Sequence, residues 1–120
     1  MDLKHQIENL LLEMEAAHSL VIMGMDGLVL EDAIKHQGQE KAHQLAIEYC
    51  QVLKQTISVG SDSDAGTLRY SLSCFENSIF LVEMITQEYF ICLSLSSEAN
   101  LGKSRYLLEK SLPDLRKHLV

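Results

Sequence analysis

The chain has 120 residues, 47% of them apolar, no Trp and a formal charge of −7. That is the length of one domain, enough to bury a core without staples. An acidic balance without a cluster of Lys and Arg speaks against nucleic acid and against anionic membrane surfaces as partners. Cys50, Cys74 and Cys92 are odd in number and widely spaced, so they form neither a disulfide framework nor a zinc site and read as small core thiols. The first residues are acidic and periodic rather than a secretory leader, and no apolar run reaches the ~20 residues a membrane span needs. The expected setting is the cytoplasm, without membrane insertion.

In chain order, Leu3, Ile7, Leu10, Leu11 and Met14 repeat at helical spacing and predict a first helix over residues 3–17, with Asp2 as its cap. Residues 20–30 read LVIMGMDGLVL. Two apolar runs flank Asp26-Gly27, the pair favoured in tight hairpin turns, where Gly supplies positive φ and Asp bonds its own backbone. Strands are predicted at 20–23 and 28–30, the first covered on both faces and the second an edge strand running into Glu31-Asp32, with 33–37 as a polar connector. Residues 39–59 form a second helix whose buried stripe is Ala42, Leu45, Ala46, Tyr49, Leu53 and Ile57. Ile47 lies at its flank near His43, Cys50 and Lys54, a hint of a second packing surface, although a single exposed Ile is ordinary.

Residues 60–66, GSDSDAG, read as a flexible loop. Asp62 and Asp64 tempt a calcium reading, but Gly66 falls at the fifth position from Asp62 rather than the sixth, and no closing Glu follows. Residues 67–73 alternate, placing Leu68, Tyr70 and Leu72 on one face of a half-covered strand. Strands follow at 78–85 and 89–95, the latter nearly unbroken in apolar residues and therefore central. A last helix starts at the cap Asn100 with the stripe Leu101, Leu108, Leu112, Leu115 and Leu119, and Pro113 should kink it. The order α-β-β-α-β-β-β-α implies an α+β domain, a five-stranded antiparallel sheet with helices on both faces.

Chemistry is sparse. No phosphate loop, dinucleotide fingerprint or nucleophile elbow occurs. His5, His18, His36, His43 and His118 lack metal-ligand spacing. Asp26 is explained by its turn, and Cys50 by packing. Arg69 and Arg105 sit on regular elements rather than on a mobile loop, where an inserted arginine finger would lie. No catalytic, cofactor or metal site is expected.

Residues 20–32, with apolar strand, Asp26-Gly27 turn and second strand, resemble the first hairpin of the roadblock/dynein light chain family. Residues 89–108, YFICLSLSSEANLGKSRYLL, are similar to that family's last strand and final helix start, with Gly102, Lys103 and Arg105 in the basic first turns. Element order and lengths agree over residues 1–120, which read as one roadblock-like, profilin-like domain. The resemblance implies a sheet order of 2-1-5-4-3, with the second helix on one face and the first and third on the other. It implies a homodimer built by pairing strand three and helix two with their twins. His43, Ile47, Cys50, Lys54, Leu68, Tyr70 and Leu72 are the expected interface, since such pairing would also cover an edge strand. It further implies no active site of its own and a small Ras-like GTPase as partner, which the protein scaffolds or regulates, with hydrolysis stimulated by holding the GTPase's own residues in place. The alternatives are an interaction module of dynein-light-chain or trafficking type without nucleotide-state sensing, and a small-molecule sensor or enzyme, since such a sheet can enclose a pocket.

Overall fold

The structure is a computed structural model, and it describes residues 2–36 and 38–119. Five antiparallel strands form one sheet in the order β2-β1-β5-β4-β3, where β1 is Ala17–Gly24, β2 Val29–Ile34, β3 Tyr70–Cys74, β4 Ser78–Met84 and β5 Tyr89–Ser96. The helices are α1 (Leu3–Glu13), α2 (Gln39–Asp62) and α3 (Leu101–Lys117). The strand order and the α+β class are those expected from the resemblance.

Both faces of the sheet are covered, so β1 and β5 alternate between two cores rather than between core and water. Leu20, Ile22, Leu81, Ile91, Leu93 and Leu95 pack with Ile7, Leu10 and Leu11 of α1 and Leu108 and Leu115 of α3. Val21, Met23, Val82, Phe90 and Cys92 pack instead with Ala42, Ala46, Tyr49, Cys50 and Leu53 of α2. Asp2 and Asn100 cap α1 and α3, their side chains accepting from the backbone N–H of His5 at 2.8 Å and of Lys103 at 3.0 Å.

The elements differ from expectation mainly at their ends. The first helix stops at Glu13, because Met14 leaves helical geometry, and Ala17 already belongs to β1. β2 continues through Ala33 and Ile34, which pair with Leu20 and Ser19, so the connector is shorter. α2 passes through Gly60 to Asp62, shortening the flexible loop. β3 begins at Tyr70 rather than residue 67. α3 is continuous through Pro113. The hairpin turn is not the two-residue primed type. Gly27 has φ 85° but Asp26 does not have positive φ. The N–H of Gly27 donates to the Gly24 carbonyl at 2.9 Å, and Asp26 Oδ1 accepts from the Leu28 N–H at 3.1 Å. This is a three-residue loop with Gly at its left-handed position.

Candidate functional site

The two free strand edges are protected differently. Along β2, Asp32 is buried and ties three elements together. Lys4 of α1 donates to its carboxylate and its carbonyl, Gln39 of α2 donates to Oδ2 at 2.9 Å, and His43 Nε2 lies 2.5 Å from Oδ2. Burial alone would push this carboxyl up, but the hydrogen bonds from Gln39, His43 and Lys4 hold it below its usual range.

Among the described residues β3 pairs with β4 and with no other strand, so its outer side is bare. Its alternation is real, but it divides the side chains differently from the expectation. Ser73 stands opposite Phe80, whose ring meets Tyr49 of α2, and so turns toward α2. Tyr70 and Leu72 turn to the α3 face and stay 39% and 38% exposed. Leu68 precedes the strand and packs in the α2-side core, so it does not share a face with Tyr70 and Leu72.

The helix residues expected beside them fall elsewhere too. His43, Ile47, Cys50 and Lys54 form one row on α2, three or four residues apart, and the His43–Asp32 contact turns that row toward β2, the edge opposite β3. Ile47 is 41% exposed and Lys54 is exposed, but Cys50 is 1% exposed, with its thiol 3.6 Å from the Met25 carbonyl oxygen, and belongs to no outer surface. The expected residues therefore do not form one patch. The row of α2 that turns toward β3 contains Tyr49 and, one turn on, Val52, which is 46% exposed. Tyr49 meets Phe80 edge-on, and Phe80 meets Phe75 at 5.5 Å between ring centres. Phe75 is 59% exposed. An aromatic strip thus joins α2 to the end of β3. Sequence reasoning missed Val52 and treated Phe75 as turn. The signal was there: an aromatic residue directly ahead of a polar Glu-Asn turn.

Cys50 and Cys92 are buried as expected, and burial pushes the Cys92 thiol up to about 12, but Cys74 is exposed on β3. Among the described residues, no group of three or more His, Cys, Asp and Glu side chains could hold a metal. No helix is long and apolar enough to cross a membrane among those residues.

A second feature lies where the chain leaves α2 and enters β3. A cleft of about 1040 Å³ opens between the last turns of α2, residues 64–70, the end of β4 and the C-terminal half of α3. Glu83 of β4 lines it and is 2% exposed. Burial, reinforced by the neighbouring Glu109 carboxylate, pushes the Glu83 carboxyl up from 4.5 to about 7. Arg105 bridges two of the cleft's lining residues, Tyr70 and Glu109. Its guanidinium lies 3.9 Å from the centre of the Tyr70 ring and pairs with Glu109 at 2.6 Å. Glu83 Oε2 and Arg105 Nε are buried and have no hydrogen-bond partner among the described residues. Sequence reasoning missed Glu83, although a single charge inside the apolar run IFLVEMI marks it.

No family model matches the sequence, and no curated protein matches it. Solved structures do. A roadblock/LC7 domain from Streptomyces avermitilis superposes with a TM-score of 0.88 over 99% of this chain and 98% of that one, at 18% identity. MglB from Myxococcus xanthus reaches a TM-score of 0.85 over 95% of this chain and 91% of that one, at 11% identity. MglC from Myxococcus xanthus reaches 0.65 over 94% and 95%, at 24% identity. The chain has the roadblock/LC7 fold, and these likenesses support the resemblance to that family read from its sequence.

Proposed function

We propose that this chain is a roadblock-family regulator or scaffold that binds a small Ras-like GTPase and has no active site of its own. The likeness to MglB and to a roadblock/LC7 domain, extending over nearly the whole chain, carries this reading. In it, residues 1–120 act as one roadblock-like domain in the cytoplasm. The GTPase brings nucleotide and catalytic residues, and this chain stimulates hydrolysis by holding the switch segments in their reactive arrangement. Such a role needs a rigid docking face rather than a catalytic group, and the core that α2 shares with one face of the sheet gives that helix firm support.

The chain works as a homodimer in this reading, with the bare β3 edge pairing with its twin. The strip of Val52, Tyr49, Phe80 and Phe75 beside that edge favours an interface there over one at the His43–Ile47–Lys54 row. Retention on immobilised protein tests the partner. A small GTPase captured from native lysate with a GTP analogue and lost with GDP is the expected result, followed by accelerated hydrolysis in the reconstituted pair. Capture in both states would leave a scaffold or a dynein-light-chain-type interaction module. Capture of no GTPase in either state would refute the reading.

A further inference from the structure

The chain has a net charge of −7, yet its three arginines, Arg69, Arg105 and Arg116, all stand at the cleft beside α3. Arg105 is committed to Glu109 and the Tyr70 ring. Arg69 and Arg116 line the cleft, and neither pairs with a carboxylate among the described residues. The backbone brings these two together at the end of β4. The Arg69 carbonyl accepts from the Met84 N–H at 3.0 Å, and Arg116 Nε donates to the carbonyl of the next residue, Ile85, at 2.7 Å. That bond fixes the Arg116 guanidinium through Nε and leaves Nη1 and Nη2 to donate elsewhere. Thr86 follows directly. Its Oγ1 accepts from the N–H groups of Glu88 and Tyr89 at 3.1 and 3.2 Å, so its hydroxyl proton is left to donate.

Free acceptors are fewer. Of the three carboxylates in the lining, Glu83 is 2% exposed and out of reach, and Glu109 is taken by Arg105. Asp64 alone remains, and it lies on the segment after α2 rather than beside residues 84–86 in the chain. The available groups are therefore mostly donors carrying positive charge, and guanidinium forks match the oxygens of phosphate and carboxylate. The same cleft of about 1040 Å³ has hydrocarbon walls from Leu68, Met84, Ile85, Leu112 and Pro113, in the size range of small-ligand sites.

We propose that this cleft binds a small amphiphilic phosphate monoester, its head between Arg69 and Arg116 with the Thr86 hydroxyl as a further donor, and its apolar stem along Leu112 and Pro113. A dianionic head balances two guanidinium charges, which a single carboxylate does not. The ligand is a free molecule rather than a bilayer headgroup, since a chain of net charge −7 is repelled by an anionic surface. The cleft sits at the Tyr70 end of β3 and the Val52–Phe75 strip at the other, so the site depends on neither the GTPase reading nor the dimer.

The test titrates 15N-labelled protein with n-octyl phosphate below its micelle threshold, following amide shifts. Octanoate, inorganic phosphate and 1-octanol serve as comparisons. Octyl phosphate should shift residues 66–69, 84–87 and 112–116. It should bind about tenfold more tightly than octanoate, and about a hundredfold more tightly than phosphate or octanol, each of which supplies one half of the contacts. Arg69 is exposed, so Arg69→Gln should keep the spectrum of the free protein and lose about tenfold in affinity. Arg116→Gln should lose as much, Asp64→Asn should bind severalfold more tightly, and Lys103→Gln, outside the cleft, should be unchanged. Equal binding to wild type and Arg69→Gln, shifts confined to other residues, or no binding would overturn the site. Octanoate or octanol matching octyl phosphate would overturn the dianionic head, and inorganic phosphate matching it would overturn the apolar stem. Sedimentation with phosphatidic acid vesicles that is lost in Arg69→Gln would overturn the free ligand in favour of a membrane.

Discussion

Glu83 sets a pH dependence of stability that can be worked out before measurement. Its carboxyl is raised from 4.5 to about 7, chiefly by burial and then by Glu109. Folding therefore favours its protonated form. Below 4.5 both folded and unfolded states hold the proton, and the stabilisation is complete. Between 4.5 and 7 the unfolded chain releases the proton while the folded one keeps it, so stability falls as pH rises; above about 7 both states are ionised and the loss levels off. At ~1.36 kcal/mol per pH unit the full loss is about 3 kcal/mol. For a domain of this size that is a drop of roughly 12 °C in melting temperature. Other carboxylates titrate as well, and Asp32, held low, loses its contribution in the opposite direction on acidification. The informative quantity is therefore the difference between wild type and Glu83→Gln, measured by urea unfolding from pH 4.5 to 8.5. The Gln variant should be the more stable by about 2–3 kcal/mol at pH 8, and the advantage should vanish toward pH 4.5. A constant difference across that range would refute the reasoning, because it would show that Glu83 titrates alike in both states.

Asp32→Ala removes the acceptor shared by Lys4, Gln39 and His43, and should cost about 1–3 kcal/mol in urea unfolding at pH 7. Leu93→Ala, at the centre of β5 with 0% exposure, should cost about 2–5 kcal/mol in the same assay. Gly27→Ala places a side chain at φ 85° and should destabilise by about 1–2 kcal/mol, while the far edge of the sheet keeps its amide-exchange protection. If β3 pairs with its twin, Leu72→Arg or Val52→Glu should convert a dimer to a monomer by light scattering, and Ile47→Glu, on the opposite row of α2, should not.

Much of the architecture was legible because its signals are local. Apolar spacing marked all three helices, and the unbroken runs at β1 and β5 marked the two strands with cores on both faces. Element ends were less legible. Apolar residues continue past Glu13 into β1, and Gly60 does not break α2, whose last turn is closed by the Ser63 N–H donating to the Val59 carbonyl at 3.0 Å. The side-chain partition around β3 was not legible at all, for a physical reason. Alternation states that a strand has two faces, but not which helix lies over which face, nor how far it reaches. Ser73 faces α2 because it stands opposite Phe80, which packs on that side, and Leu72 faces the other core because it stands opposite Leu81. Both facts belong to pairings across the fold.

The same reason separates the two candidate sites. The Val52–Phe75 strip lies beside an unpaired edge, where exposed backbone already favours a second chain. The Glu83 cleft has no such edge to offer. Its distinction is a carboxyl placed under α3 by the β4 register, at the position opposite Tyr70 and beneath the Arg105–Glu109 pair. A hydrophobic residue there would extend the core of Leu81, Ile85 and Ile91 without the desolvation cost. Glu83 therefore costs stability once it ionises, and the Glu83→Gln comparison at pH 8 measures that cost directly.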